Sequence, residues 1–265
     1  MNRDVNNSLN NISLSIQLSS DGFSFCIYNA TSKEPQHFGH YTFETAIVTP
    51  TDLLHQVQTI FEKDELLQSH YDAIYLIHHN NLNTFVPKTH FNEDLLHQYL
   101  QYSVKTFEND FVSYDDLENV DAALCNVYIP FVNVNNYLFD AFGSFTYLHS
   151  STVFLQNILK QYAPTDKSMF VNVYQNDFQL CVVQNKELIL YNHFTFSCSE
   201  DFVYYILFVA EQLKINPNEF DLHLMGNIHK DEASYQLLYK YVRNVHLPFT
   251  ASTERTHLNL IQFYL

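Results

Sequence analysis

Two stretches of this chain, far apart in sequence, carry the same alternation of apolar and polar residues. Laid over one another without a gap at an offset of 155, SIQLSSDGFSFCIYN falls on FVNVYQNDFQLCVVQ, which sets Ile16 on Val171, Phe23 on Phe178 and Cys26 on Cys181. A period of two is the mark of a strand with one face turned inward. Ser20-Asp21-Gly22 and Gln175-Asn176-Asp177 supply turn chemistry in the middle of each stretch, so each reads as a β-hairpin. A second echo, at an offset of 153, places His40-Tyr41-Thr42-Phe43 against His193-Phe194-Thr195-Phe196.

The order of elements around the hairpins repeats as well. In the first half, strands are expected over 12–19, 23–29 and 37–44. A helix follows with Thr51-Asp52 as its cap and Leu53, Leu54, Val57, Ile60 and Phe61 on one face, then a buried strand over 71–78. The second half gives strands over 169–174, 178–183 and 188–196. A helix to residue 214 follows, capped by Ser199 with Glu200 and Asp201 in its first turn, then a strand over 222–225 and a helix over 232–243. Between the halves lie an acidic stretch over 108–121, a strand over 122–129, Pro130, a helix over 131–141, a strand over 143–149 and a helix over 151–163. Each half is βββαβ, and the fold class is α/β with mixed sheets.

Composition narrows the function. The chain holds 4 glycines in 265 residues, against roughly 19 at average usage of about 7%. Gly22, Gly39, Gly143 and Gly226 stand far apart, so no glycine-rich phosphate loop exists. The net charge is −16, a field that repels phosphate backbones and anionic lipid; nucleic acid and membrane surfaces are poor partners. The excess acid is uneven: residues 1–150 hold 5 bases and 18 acids, residues 151–265 hold 8 and 11. The N-terminal stretch has no apolar core of a leader, and the longest apolar run, 202–210, is too short to span a bilayer, which points to a cytoplasmic protein without membrane insertion. Cys26, Cys125, Cys181 and Cys198 form no CxxC pair and are expected to be reduced core thiols.

Two tandem strand-strand-strand-helix-strand lobes resemble the actin-like ATPase superfamily, a ribonuclease H-like plan shared by sugar kinases, heat-shock chaperone ATPases and bacterial cell-division and pilus-assembly actins. The hairpin SIQLSSDGFSFCIYN and the segment FGSFTYLHSS look more closely like a bacterial domain-of-unknown-function family with that fold. The resemblance implies an N-terminal lobe over 1–150, a small inserted subdomain over about 80–121 within it, and a C-terminal lobe over 151–265.

In that superfamily the first hairpin of each lobe wraps the phosphates, and an Asp near the end of each first strand holds the water shell of Mg²⁺. Gapless placement puts Gln17 at the first Asp and Asn172 at the second, so both acids have become amides. Ser19 replaces the first glycine, and Tyr174, Gln175 and Asn176 replace a glycine run, which brings side chains into the phosphate volume. Gly226-Asn227, between a strand and a helix, resembles the turn on which adenine stacks. The resemblance therefore implies a degenerate nucleotide site, no cofactor and no catalytic or metal residues. An alternative keeps Mg-ATP, with Asp21 or Asp177 replacing the lost ligands, Lys160, Lys167 or Lys230 meeting phosphate, and weak ATPase or kinase activity.

Other constellations have plain readings. The closest histidine groups, His37 with His40, His78 with His79, and His90 with His97, lack the geometry of a metal clip and are expected to be structural or surface residues. No GxSxG or HExxH occurs, and Cys125 and Cys181 lie in apolar strands. Glu108, Asp110, Asp115, Asp116, Glu118 and Asp121 read as a solvated acidic face. Aromatics crowd 131–139 and 202–208 more densely than one helix face can bury, so some could serve an interface, including a homodimer. The expected role is a scaffold that binds a protein or short peptide, by analogy with pilus-assembly relatives.

Overall fold

The computed structural model describes residues 11–43, 47–118, 120, 122–162, 164–248 and 260. The first half runs β1 (Ile12–Leu18), β2 (Gly22–Asn29), β3 (Glu34–Thr42), α1 (Pro50–Lys63) and β4 (Ala73–His78). Then come β5 (Asn83–Pro87), α2 (Leu96–Leu100), β6 (Ser113–Asp116) and β7 (Leu124–Tyr128), followed by α3 (Val132–Phe142), β8 (Thr146–His149) and α4 (Ser150–Gln161). The last part is β9 (Ser168–Val173), β10 (Asp177–Gln184), β11 (Glu187–Thr195), α5 (Ser199–Gln212), β12 (Asp221–Gly226), α6 (Ala233–Leu238) and β13 (Asn244–His246). No helix among the described residues is long and apolar enough to cross a membrane.

These elements gather into two units, one of residues 1–80, 131–148 and 260–265, the other of residues 81–130 and 149–259. In the first unit the sheet order is β3-β2-β1-β4-β8, with β4 parallel to β1. Alternate residues Leu14, Ile16 and Leu18 of β1 point to one face, where Leu53, Val57, Ile60 and Phe61 of α1 and Val134 and Leu138 of α3 cover them. The opposite face of β1 carries Ser13 and Ser15, both buried, and the Ser15 hydroxyl donates to the Leu260 carbonyl at 3.1 Å. A buried hydroxyl without an acceptor would cost stability, and Leu260 supplies the nearer of two acceptors, the Cys26 carbonyl lying at 3.4 Å.

In the second unit the order β11-β10-β9-β12-β13 repeats that topology. Phe178, Leu180, Phe202, Ile206, Leu224 and Leu238 fill the space under α5 and α6, while Phe154, Leu155 and Ile158 of α4 pack on Phe170, Cys181, Val183 and Met225 behind the sheet. Burial on both faces explains why β9 and β10 read as nearly continuous apolar runs. A separate three-stranded sheet, β5-β7-β6, holds its own small core of Val86, Leu100, Val112 and Val127.

The duplication holds at the level of register. Ile16 faces Phe25 and Val171 faces Leu180; Gln17 faces Ser24 and Asn172 faces Gln179. Both third strands bulge at the matched place, between Ile27 and Tyr28 in one hairpin and between Val182 and Val183 in the other. The extra residues are Gln36 and Ile189. The offset falls from 155 to 153 because residues 30–33 join β2 to β3, whereas Asn185 and Lys186 alone join β10 to β11. That two-residue turn has positive φ at both positions, 51° and 63°, the signature of the hairpin turn that matches strand twist.

Several ends differ from the sequence expectation. Helix α1 is capped by Thr49, not Thr51: Pro50 takes the first helical position, where its missing N–H costs nothing. The Thr49 hydroxyl accepts from the Asp52 N–H at 3.2 Å, and the Asp52 carboxylate accepts from the Thr49 N–H at 2.8 Å. Ser199 is the first residue of α5, with Cys198 at the cap, and the Asp201 carboxylate accepts the Ser197 N–H at 3.0 Å. Helix α6 stops at Leu238, and the chain returns as β13, parallel to β12. β3 starts at Glu34, with Pro35 tolerated because the strand lies at a sheet edge. The expected ends at Glu44, Asp121 and Ala163 lie outside the described residues.

Replacing Thr49 by Ala removes one half of a reciprocal cap. Urea denaturation is expected to show a loss of about 1 kcal/mol, with an unchanged slope against denaturant.

Candidate functional site

The equivalent positions in the two hairpins are Gln17 and Asn172, and each lies near the end of the first strand of its own sheet. Gln17 is half-buried beside Ser24 on β2 and Ile77 on β4. Just beyond it, the chain turns through Ser19, whose N–H donates to the Gly22 carbonyl at 3.0 Å and whose hydroxyl bonds Asp21 and accepts the Gly22 N–H at 3.2 Å. Ser19 and Asp21 are thereby tied into the turn itself. In the second unit the turn is closed by the Tyr174 N–H on the Asp177 carbonyl at 2.8 Å, leaving Gln175 and Asn176 exposed at its tip. Asp177 sits 2.9 Å from the Nε2 of His193 on the neighbouring strand.

Asn172 begins a chain of side-chain hydrogen bonds that runs inward through the second unit. Its amide donates to the Tyr174 hydroxyl at 2.9 Å, and that hydroxyl donates to the Gln179 carbonyl oxygen at 3.2 Å. The Gln179 amide donates to Ser150 at 2.8 Å and to Ser151 at 3.1 Å, and Ser151 bonds the Tyr191 hydroxyl. Tyr191 bonds Asn83. The Asn83 amide donates to Asn126 at 2.9 Å, Asn126 to Thr152 at 2.9 Å, and Thr152 to the Asp115 carboxylate at 2.6 Å. Gln179, Asn126, Ser150, Ser151 and Thr152 are all fully buried. Desolvation requires each of these groups to find a partner inside the protein, and the chain provides them in sequence.

Asp115 ends the chain. Besides Thr152 it accepts from the Tyr128 hydroxyl at 2.9 Å and from the His149 N–H at 2.8 Å, the latter at the cap of α4. Only 5% of its surface is exposed, so it does not belong to a solvated acidic face, as the acidic stretch around it suggested. Burial pushes its carboxyl up to about 6, against the pull of those three donors. Nothing in the local sequence marks Asp115, since its donors come from residues 13 to 37 positions away. Its neighbour Asp116 behaves as expected of that stretch, half-exposed and 3.1 Å from Lys88.

Gly226 ends β12 with φ +79°, and a Cβ built there would lie 2.2 Å from the Val173 carbonyl and 2.6 Å from the Asn172 side-chain oxygen. The Asn227 N–H donates to that same carbonyl at 2.7 Å. A glycine is thus required for the sheet to close against Asn172, independent of any ligand.

The remaining sequence candidates are less concentrated. Lys167 donates to the Leu213 carbonyl at the end of α5, at 3.2 Å, while Lys160 and Lys230 are exposed. Burial pushes the thiols of Cys26 and Cys125 up to about 12, and that of Cys181 higher still. Cys198, expected in the core, is exposed. His78 is buried between Phe131 and Tyr147, and burial holds its ring neutral, down to about 3. Of the crowded aromatics, Phe139, Tyr204 and Phe208 remain exposed.

Residues 2–245 match a family model described as a protein of unknown function, DUF3822. No curated protein matches the sequence. Among solved structures, a Bacteroides thetaiotaomicron protein with an actin-like ATPase fold and unknown function is similar at a TM-score of 0.83 and 22% identity, over 100% of this chain and 99% of that one. The PilM-PilN type IV pilus biogenesis complex gives a TM-score of 0.53 at 10% identity, over 95% and 98% of the two chains. Ethanolamine utilization protein EutJ from Carboxydothermus hydrogenoformans gives 0.54 at 7% identity, over 96% and 89%. The fold is that of the actin-like ATPases.

Two outcomes follow from the geometry. Gly226→Ala is expected to destabilise by more than 2 kcal/mol, roughly, because both the positive φ and the contact with Val173 oppose a methyl; a thermal melt beside the wild type reads it. Asp115 is raised above its ordinary 3.8, so between these values the folded chain holds a proton that the unfolded chain releases. Its charge therefore costs stability at neutral pH, and the cost is relieved as pH falls through about 6. Between pH 7 and 5 the wild type should gain about 1.4 kcal/mol relative to Asp115→Asn, measured by urea denaturation across that range.

Proposed function

The chain belongs to the DUF3822 family, and from that premise we propose that it is an actin-like protein that does not turn over ATP and acts by binding another protein or a peptide. The observation that carries this reading is the engagement of Asn172. A hydrated Mg²⁺ takes hard anionic oxygen ligands. At Asn172 the side chain is a neutral amide, 2% exposed, bonded to Tyr174 and packed against the Gly226 backbone. The donor set does not fit the ion.

The two acids in the hairpin turns each have a partner of their own. Asp21 is bonded to the Ser19 hydroxyl, and Asp177 to His193. Gly226 has a packing requirement of its own, which accounts for the glycine without an adenine stacked on it. With nucleotide chemistry unsupported, what the fold offers is surface. The similar PilM-PilN structure is a complex between two proteins, and that likeness supports a binding role here by analogy of fold.

Calorimetric titration with Mg²⁺-ATP and with a non-hydrolysable analogue, carried to millimolar ligand, tests the reading. Even a site near 1 mM corresponds to about −4 kcal/mol. The expected result is no heat of binding and no change in melting temperature; saturable heat with both ligands would restore a nucleotide-driven mechanism.

A further inference from the structure

A groove of about 690 Å³ lies within the second unit, and its walls are two sheet edges. One wall is β11, the terminal strand of its five-stranded sheet; the other is β5, the terminal strand of the three-stranded sheet. Its lining is mixed: Val104, Leu124 and Leu188 supply apolar surface, and Asn81, Thr84 and Ser103 supply polar surface of at least equal extent.

The hydrogen-bond phase of each wall follows from one bond at its end. The Phe196 N–H donates to the Asn176 carbonyl at 3.0 Å. Antiparallel pairs alternate in twos, so Phe194 and Asn192 bond toward β10, and Tyr191 and His193 turn their N–H and C=O groups to the outer edge. The His193 N–H donates at 2.8 Å to the side chain of its own neighbour, Asn192, a local bond standing where a strand partner would be. On β5 the Ile129 N–H bonds the Leu82 carbonyl at 3.1 Å, so Asn83 and Phe85 face outward, with Pro87 as the next outward position. Edge strands in this state are templates for a further strand.

Charge selects the occupant. The chain carries 29 acids, yet no carboxylate lines the groove, and Lys105 stands at its side with its ammonium 5.8 Å from the Phe107 ring. Screening confines the field of remote charges to about 8 Å at physiological ionic strength, so an occupant meets Lys105 before the net charge of the chain. A second copy of the chain would bring another −16 to the contact, which opposes self-pairing.

We propose that the groove binds an extended segment of a different protein as an added strand on β11, with alternate apolar side chains against Leu124 and Leu188, which pack on the same face, and an Asp or Glu at Lys105. The proposal rests on the protein-binding reading above and assigns it a place. Ile189, the bulged residue of β11, is 40% exposed and lines the groove, so it and Lys105 can be changed without disturbing a core.

A displayed library of linear random peptides, panned on the full chain, supplies the probe. Enriched peptides are then titrated against the wild type, Lys105→Glu and Ile189→Glu, with amide hydrogen exchange followed on the complex. The expected result is enrichment of sequences alternating apolar residues with Asp or Glu, about tenfold weaker binding to each variant, and slowed exchange at Tyr191. Peptides that bind both variants like the wild type, or leave the Tyr191 amide unprotected, would overturn the groove while the binding reading stands. Failure to enrich any sequence would also overturn it, with the Mg²⁺-ATP titration deciding the broader reading separately. Self-association in sedimentation that Ile189→Glu abolishes would make the occupant a second copy, against the proposal.

Discussion

The hydrogen-bond chain from Asn172 to Asp115 is the constraint on which the second unit depends. It joins three elements, the β9–β10 hairpin, the start of α4 and the small sheet of β5, β6 and β7, and runs beside the apolar cluster of Phe154, Phe170 and Cys181 on which Phe85 and Leu124 pack. Its members are buried and polar, so each is stable only while its neighbour is in place. Ser150, Ser151 and Thr152 occupy the first turn of α4, where backbone N–H groups lack helical partners, and Asp115 takes the N–H of the capping residue His149. The acid is held at a helix start, the end whose dipole favours negative charge.

That arrangement accounts for the amide at position 172. An aspartate there would place a charge next to the Gly226 backbone turn and opposite a tyrosine hydroxyl already committed to Gln179. An asparagine donates to Tyr174 and stays neutral. The amide at position 172 thus completes an internal network, and Gln179, facing Asn172 across the hairpin, extends it.

Much of the fold was legible because it rests on local periodicity. The alternation in the two hairpins gave strands within a residue or two of their ends, and the offset of 155 holds pair by pair in the register. The helix caps were less legible, since Thr49 and Thr51 compete for one role and Pro50 decides between them. Asp115 was illegible: six acids within 108–121 look alike in sequence, and only contacts made by Tyr128, His149 and Thr152 single one out. The groove between β5 and β11 was illegible for a similar reason, because which strands end a sheet is a property of topology and not of composition.

Both units are discontinuous in sequence, and this bears on how the protein is made. The Ser15 hydroxyl on β1 finds its acceptor in Leu260, and the second unit joins residues 81–130 to strands that end at His246. Ser15 leaves the ribosome 245 residues before Leu260, so their bond forms only after the strands of the second unit have been made. Contacts of such sequence separation form slowly, and although α1 and α3 cover one face of β1 early, the face that carries Cys26, Tyr28 and Ile77 waits for Leu260. A chain built this way keeps one face of its first sheet open while the whole of its second sheet is being made.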